Sequence, residues 1–284
     1  MAARSERQRA IFRRRRAVAG VLLLVFVIAV GSQLGGGGHH AASSSLRPPP
    51  VKAGPPHPQE SAIDRVLGYT GYIEAGSRRR REVALTFDDG PSPWTPRLVK
   101  VLKRRNVPAT FFPVGYGIQR YGRYLQLLRR EGFVVGDHTM THPLLQRFDV
   151  ATQAKEIDGQ ATLVSTAGLP YPRLFRPPYG SFDQGTRGLL TEREMLMVLW
   201  SVNPQDYYRP GAKVIVSRTL AGAHPGAIVL MHDGGGDRSQ TVAAVKVLIR
   251  KLRARRYRLV TVPRLLADDP PPRLQGPPPN LAGI

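Results

Sequence analysis

A chain of 284 residues can bury one substantial core, and its lack of cysteine excludes disulfides and thiolate chemistry, so any bound metal must be held by His, Asp or Glu. The net charge of +22 admits anionic neighbours, but nearly half of the excess lies in the first 81 residues and no nucleic-acid-binding motif accompanies it. Charge is therefore a clue to location, and a nucleic-acid partner is not expected.

Residues 1–16 form a basic tail ending in Arg13–Arg16. Residues 17–34 carry no charge and include the apolar run Val21–Ile28. As a helix they would span roughly 27 Å, close to the thickness of a bilayer's hydrocarbon layer. The flanking arginines should stay in the cytoplasm, which puts the bulk of the chain outside the cell. A cleaved signal peptide, giving a secreted protein, is the competing reading. Its nearest cleavage triplet, Ala29-Val30-Gly31, is poor, so a single-pass signal anchor in the cell membrane is favoured. Residues 35–81, rich in Gly, Ser and Pro, read as a tether that ends in a second basic run, Arg78–Arg81. Pro270–Pro272 and Pro277–Pro279 mark residues 267–284 as a disordered tail, leaving 82–266 as the folded domain.

Within that domain, strand-like and helical stretches alternate. Strand-like runs fall at Val83–Phe87, Ala109–Val114, Phe133–Gly136, Arg173–Arg176, Met195–Trp200, Ala227–Met231 and Tyr257–Thr261. Helical patterns lie between them, at Pro96–Arg105, Arg120–Glu131, Val150–Thr166, Asp183–Glu192, Ala212–Ala221 and Thr241–Arg256. Alternation of this kind predicts an α/β fold with parallel strands and crossover helices. Seven strands suit either an open doubly wound sheet or a barrel one strand short of eight. In both, a site is built at strand C-termini.

The polar residues follow that rule. Asp88-Asp89 end the first strand before Gly90-Pro91, and Asp137 to His142 follow the third. Arg176 to Gly180 follow the fourth, Asn203 to Tyr207 the fifth, and His232-Asp233 the sixth. Asp-Gly alone is ordinary turn chemistry. Five polar clusters at strand ends point instead to a site.

His138 and His142 have the four-residue spacing that brings two ligands to one face of a helical turn, and Pro143 ends that turn. A carboxylate from Asp88 or Asp89 would complete a set of two histidines and one carboxylate, which leaves open positions on a divalent metal. The second Asp is then free to act as a base on water whose pKa the metal lowers to about 7. His232 suits a general acid across the rim, and Arg176 near Asp88 would keep that carboxylate ionised and oriented. His57 and His224 have no evident partners and read as surface residues.

Thr86–Gly90, His138–His142, Arg176–Gly180, Asp206-Tyr207 and Leu230–His232 resemble, in order and spacing, the five motifs of NodB-type polysaccharide deacetylases (carbohydrate esterase family 4). The resemblance covers about residues 82–266 and implies a distorted (β/α) barrel of about seven strands. It also implies metal-dependent removal of acetyl groups from N-acetylglucosamine polymers, peptidoglycan or chitin-like, or from O-acetylated sugars such as acetylxylan. By resemblance, Asp88 is the general base, and Asp89, His138 and His142 hold the metal, zinc or an ion like cobalt. Arg176 tethers Asp88, and His232 is the general acid, oriented by Asp206. The Tyr179 N–H serves the oxyanion, and Leu230 lines the acetyl pocket. Tyr207 stands where the family usually has Trp, which puts substrate choice in question more than catalysis. A non-catalytic glycan-binding protein of the same fold is the rival reading, and the intact base, ligand set and acid argue against it.

Overall fold

A computed structural model of the chain describes residues 58–273. The expected basic tail and anchor, residues 35–57 of the tether, and the end of the C-terminal tail lie outside them. Among the described residues no helix is long and apolar enough to cross a membrane.

The described chain begins with α1 (Pro58–Leu67) and β1 (Tyr72–Ile73). It continues through β2 (Glu82–Asp88), α2 (Thr95–Lys103), β3 (Thr110–Phe112), α3 (Gly115–Arg130), β4 (Val134–Val135) and α4 (Val150–Thr166). Next come β5 (Leu174–Phe175), α5 (Gln184–Glu192), β6 (Leu196–Val198), α6 (Ala212–Gly222), β7 (Ala227–His232), α7 (Ser239–Ala254), β8 (Arg258–Val260) and α8 (Val262–Asp268).

Every ladder between these strands is parallel, as α/β alternation requires. One sheet runs β4-β3-β2-β7, with β8 paired to the first residues of β2, and the other runs β1-β6-β5. Single parallel bridges join the sheets at two seams, Asp137 to Phe175 and Val202 to Val229. The expected ring of seven strands is thus two parallel sheets joined at two seams, with β1 as an added strand.

β2 is buried along its whole length, so its sequence lacks the alternation of a half-exposed strand. Phe87 packs on Phe111 with ring centroids 5.3 Å apart, and Phe111 meets Phe133 edge-on at 5.2 Å, pinning β2 to β3 and to the start of β4. The helices start where expected within a few residues, except α3. Its first turn, Gly115 to Arg120, precedes the predicted start and is separated by a kink at Tyr121. That turn contains two glycines and is held from outside, since the Gly115 and Tyr116 N–H groups donate to the carbonyls of Thr139 and Met140 at 3.0 Å.

The boundaries at 82 and 266 need correction. Ala62, Ile63 and Val66 of α1 are buried against Val262, Leu265 and Leu266 of α8, together with Phe112 and Leu174, closing the end of the fold where the strands begin. Asp269 is buried and accepts the Arg80 N–H at 3.1 Å, while the Tyr69 hydroxyl donates to the Pro271 carbonyl at 2.8 Å. The helical spacing of three apolar residues was hidden in a Pro-, Ser- and Gly-rich neighbourhood. A terminal segment packs if it covers apolar surface that the strands leave open.

Candidate metal and catalytic centre

The C-terminal end of β2 delivers two adjacent carboxylates to the same histidine, His138, whose Nε2 lies within 4 Å of an oxygen of each. Asp88 is still in the strand, whereas Asp89 has φ +69°. A non-glycine residue in the left-handed region costs free energy that only surrounding contacts can hold in place. Thr139, His142 and Tyr179, on the loops after β4 and β5, share this strained backbone with φ of 66°, 63° and 59°.

Asp89, His138 and His142 offer ligand atoms all within 4.8 Å of one another. The Nε2 atoms of His138 and His142 stand 3.6 and 3.2 Å from Asp89 Oδ1. That oxygen is buried and has no hydrogen-bond partner among the described residues. A buried, orphaned carboxylate oxygen facing two imidazole nitrogens is what a cation would satisfy. The Nδ1 of His138 lies 2.6 Å from the Arg176 carbonyl, which fixes the tautomer that leaves Nε2 as a lone pair. Burial is the largest influence on Asp89 and opposes its ionisation, yet the surrounding histidines, His138 first among them, outweigh it and hold the carboxyl well below the usual range. Burial, then the neighbouring His138, pushes His142 down to about 4, so it is a neutral ligand at physiological pH. The three residues therefore fit a divalent cation by geometry, and Asp89 and His142 fit it also by protonation state.

Asp88 is buried and is held by Arg176, whose Nη1 donates to Oδ1 at 2.8 Å. Arg176 is fully buried, and its other donors are met by Thr86 Oγ1 at 2.7 Å and the carbonyls of Val198 and Leu199 at 2.9 and 3.2 Å. Its guanidinium also lies over the Phe112 ring at 4.3 Å. Burial lowers the Arg176 pKa and Asp88 offsets this only in part, and a guanidinium stays charged even so. Asp88 Oδ2 remains at the site, 3.9 Å from His138 Nε2.

His232 ends β7, and its Nδ1 lies 2.7 Å from Asp206 Oδ1. Asp206 Oδ2 accepts the His232 backbone N–H at 2.9 Å and the Thr241 hydroxyl at 2.7 Å. Burial alone would favour neutral imidazole, but Asp206 overrides it and raises His232 to about 9. The acid of this pair is thus protonated at neutral pH. Leu230, two residues earlier on the same face of β7, is buried. The Tyr207 ring meets the His232 ring edge-on at 5.4 Å, and the exposed Tyr179 ring meets His142 edge-on at 4.5 Å. The Tyr179 N–H has no acceptor among the described residues.

All ten residues singled out from the sequence thus gather at one end of the fold, while His224 lies beside Pro225 at the opposite end, where β7 begins, and His57 lies outside the described residues. Four further residues contribute that the sequence left without a role. Thr86 and Thr241 each satisfy one charged partner. Arg238 is buried in the loop after β7 and donates to the Gly235 carbonyl at 2.9 Å. Asp233 is buried among Ser92, Thr95 and the Asp88 carbonyl, which accepts its N–H at 3.0 Å. Burial, followed by the charges of Asp89 and Asp88, raises the Asp233 carboxyl to about 7. Asp233 had a sequence signal, since it follows a strand and adjoins a candidate acid. Arg238 had none.

A family profile described as polysaccharide deacetylase matches residues 75–198. A chitooligosaccharide deacetylase of Bradyrhizobium sp. is 39% identical over 198 residues, 65% of this chain and 90% of that protein. A peptidoglycan-N-acetylglucosamine deacetylase of Bacillus cereus is 37% identical over 209 residues, covering 72% of this chain and 97% of that one. Among solved structures, the Bc1960 peptidoglycan N-acetylglucosamine deacetylase bound to a hydroxamate-type benzamide superposes with a TM-score of 0.68 at 31% identity. That match covers 70% of this chain and 94% of the other.

Proposed function

The chain belongs to the polysaccharide deacetylase family, carbohydrate esterase family 4, hydrolases of carbon–nitrogen bonds, and on that premise we propose that it removes acetyl groups from N-acetylglucosamine residues of cell-wall glycan, peptidoglycan first among them. One observation supports a working catalyst above all: a tethered carboxylate and a protonated imidazole end neighbouring strands beside three convergent ligand atoms.

Asp89, His138 and His142 would hold a divalent cation, zinc by the nature of the donor set. When bound it supplies Lewis-acid polarisation of the acetyl carbonyl and of the attacking water. Asp88, its Oδ1 held by Arg176, uses Oδ2 to take a proton from that water as the new C–O bond forms. The Tyr179 N–H is free to stabilise the oxyanion that develops on the acetyl carbonyl. As the C–N bond breaks, His232 gives its Nε2 proton to the leaving amine, while Asp206 holds Nδ1 and steadies the imidazolium until that moment. Water and amide become acetate and a free amino sugar. Leu230 offers an apolar wall to the acetyl methyl, and Tyr207 and Tyr179 offer ring faces or edges to sugar.

We also propose, from the sequence of residues 13–34, that the domain is tethered to the cell membrane with the catalytic end outside. The test is acetate release from purified peptidoglycan, N-acetylchitooligosaccharides and acetylated xylan, each with and without a chelator. Chelator-sensitive release from the first, exceeding the others, is expected. Release from acetylxylan alone would make the chain an O-acetyl esterase, and no release from any would favour a glycan-binding role.

A further inference from the structure

The end of the fold opposite the catalytic centre is strongly basic. Segments 78–82, 100–106 and 250–258 contain fourteen Lys and Arg residues and one acid, Glu82. They lie at the starts of β2 and β8 and the ends of α2 and α7, and β2, which runs from this end to the site, spans about 20 Å. Hydrogen bonds tie them into one surface. Arg253 donates to the Arg105 carbonyl at 2.7 Å, Arg81 to the Arg255 carbonyl at 2.8 Å, and Arg255 to the Leu220 carbonyl of α6 at 2.6 Å. These guanidiniums are thus spent on neutral carbonyls. Only Arg79, Lys103 and Arg258 meet a carboxylate, and the other eleven have none within 4 Å among the described residues.

Beside this surface, a groove of about 500 Å³ runs between α6 and α7. Its floor is Val216, Leu220 and Val247, and its rim carries Lys213, Lys251 and Arg255. An apolar slot edged by cations that meet no carboxylate among the described residues matches an anionic lipid, which offers both an acyl chain and a charged headgroup. A glycan fits less well, because the exposed aromatic side chains able to stack on sugar, Tyr116, Phe148, Tyr179 and Tyr208, follow strand C-termini at the catalytic end. The first described helix, α1, also packs on α8 at this end.

We propose that this basic end docks on an anionic lipid surface and so holds the catalytic mouth away from the bilayer. The inference does not depend on which glycan is the substrate. The test is amine-reactive footprinting of the full chain, read lysine by lysine by mass spectrometry. Vesicles of phosphatidylcholine with 30% phosphatidylglycerol are compared with phosphatidylcholine alone (about one anionic lipid in three, in the range where basic clusters bind). Labelling of Lys100 and Lys251 should slow several-fold on the anionic vesicles only, recover at high salt, and leave Lys155 on α4 unchanged. The Arg104→Glu/Arg250→Glu variant changes two exposed side chains that make no hydrogen bond or ion pair among the described residues. It should cut the protection about tenfold while acetate release from a soluble oligosaccharide stays at the wild-type rate. Equal labelling of Lys100 and Lys251 on the two kinds of vesicle would overturn the proposal. So would equal or stronger protection by soluble polyphosphate, which would make the partner an anionic polymer.

Discussion

Asp88 and His232 are opposite one another in the parallel ladder of β2 and β7. The proposed base and acid are therefore held one strand spacing apart, about 4.8 Å, by backbone hydrogen bonds rather than by loops. Proximity fixed this way needs no closing motion, and each partner's second tether, Arg176 or Asp206, then sets the direction of a single free atom.

Removing the tether of the base should cost both activity and stability. Arg176→Ala leaves Asp88 as a buried carboxylate without its cation, a defect worth about 3–5 kcal/mol. Chemical denaturation should show a loss of that order, and kcat should fall with it. Arg176→Lys keeps a charge but cannot reach Asp88, Thr86 and two carbonyls together, so it should recover stability better than rate. An Arg176→Ala protein as stable as wild type would show that the pair contributes nothing.

The two adjacent carboxylates should separate by what they lose. Asp88→Asn is expected to bind one zinc equivalent normally while kcat drops about 10²–10⁴-fold. His138→Ala and Asp89→Asn should lose metal and activity together. Metal content by atomic absorption, measured beside acetate release, distinguishes them, and a metal-free Asp88→Asn would exchange the two roles.

The pH profile should report the His232–Asp206 pair. With His232 raised from 6.5 to about 9, the alkaline limb of kcat/KM should fall near pH 9, and Asp206→Asn should move it toward 6.5. The same shift is a stability statement. A histidine whose folded pKa is raised contributes fully below pH 6.5, progressively less between 6.5 and 9, and nothing above, with a ceiling of about 3 kcal/mol. The melting-temperature gap between wild type and Asp206→Asn should accordingly be wide at pH 6 and narrow at pH 9.5. A gap that widens with pH would refute the assignment.

Gly234 should be intolerant of any side chain. A Cβ there would sit 1.8 Å from the Asp89 carbonyl oxygen, so the backbone of a proposed metal ligand would have to move. Gly234→Ala is expected to cost about 1–3 kcal/mol of stability and to weaken zinc binding, read by competition with a chromogenic chelator. Wild-type zinc affinity in this variant would mean the loop yields instead.

What could be read before the fold was known is local. A strand run stopped by Asp88-Asp89-Gly90 and regular alternation of strand and helix express short-range geometry and turned up where expected, whereas the imidazole pair four residues apart meets on a loop, with Thr139 and His142 at positive φ, and not on the expected helical turn. Arg238 could not be read, because a lone arginine in a glycine-rich loop looks like any surface loop until Gly234 and Gly235 pack on Asp89. The role of α1 was equally hidden, since three apolar residues become a lid only where strands leave apolar surface uncovered.

The sequence by itself determined which chemical groups are available and on which strand ends they fall, because periodicity and turn residues act within a few positions. Only the tertiary structure decided which of them meet. Arg176 reaches Asp88 across 88 residues of chain, and Asp206 reaches His232 across 26, through closure of a ring whose seams leave no local trace. The same closure collected scattered basic residues into one charged end. Burial then set the protonation states, because desolvation depends on what surrounds a group and not on what precedes it in the chain.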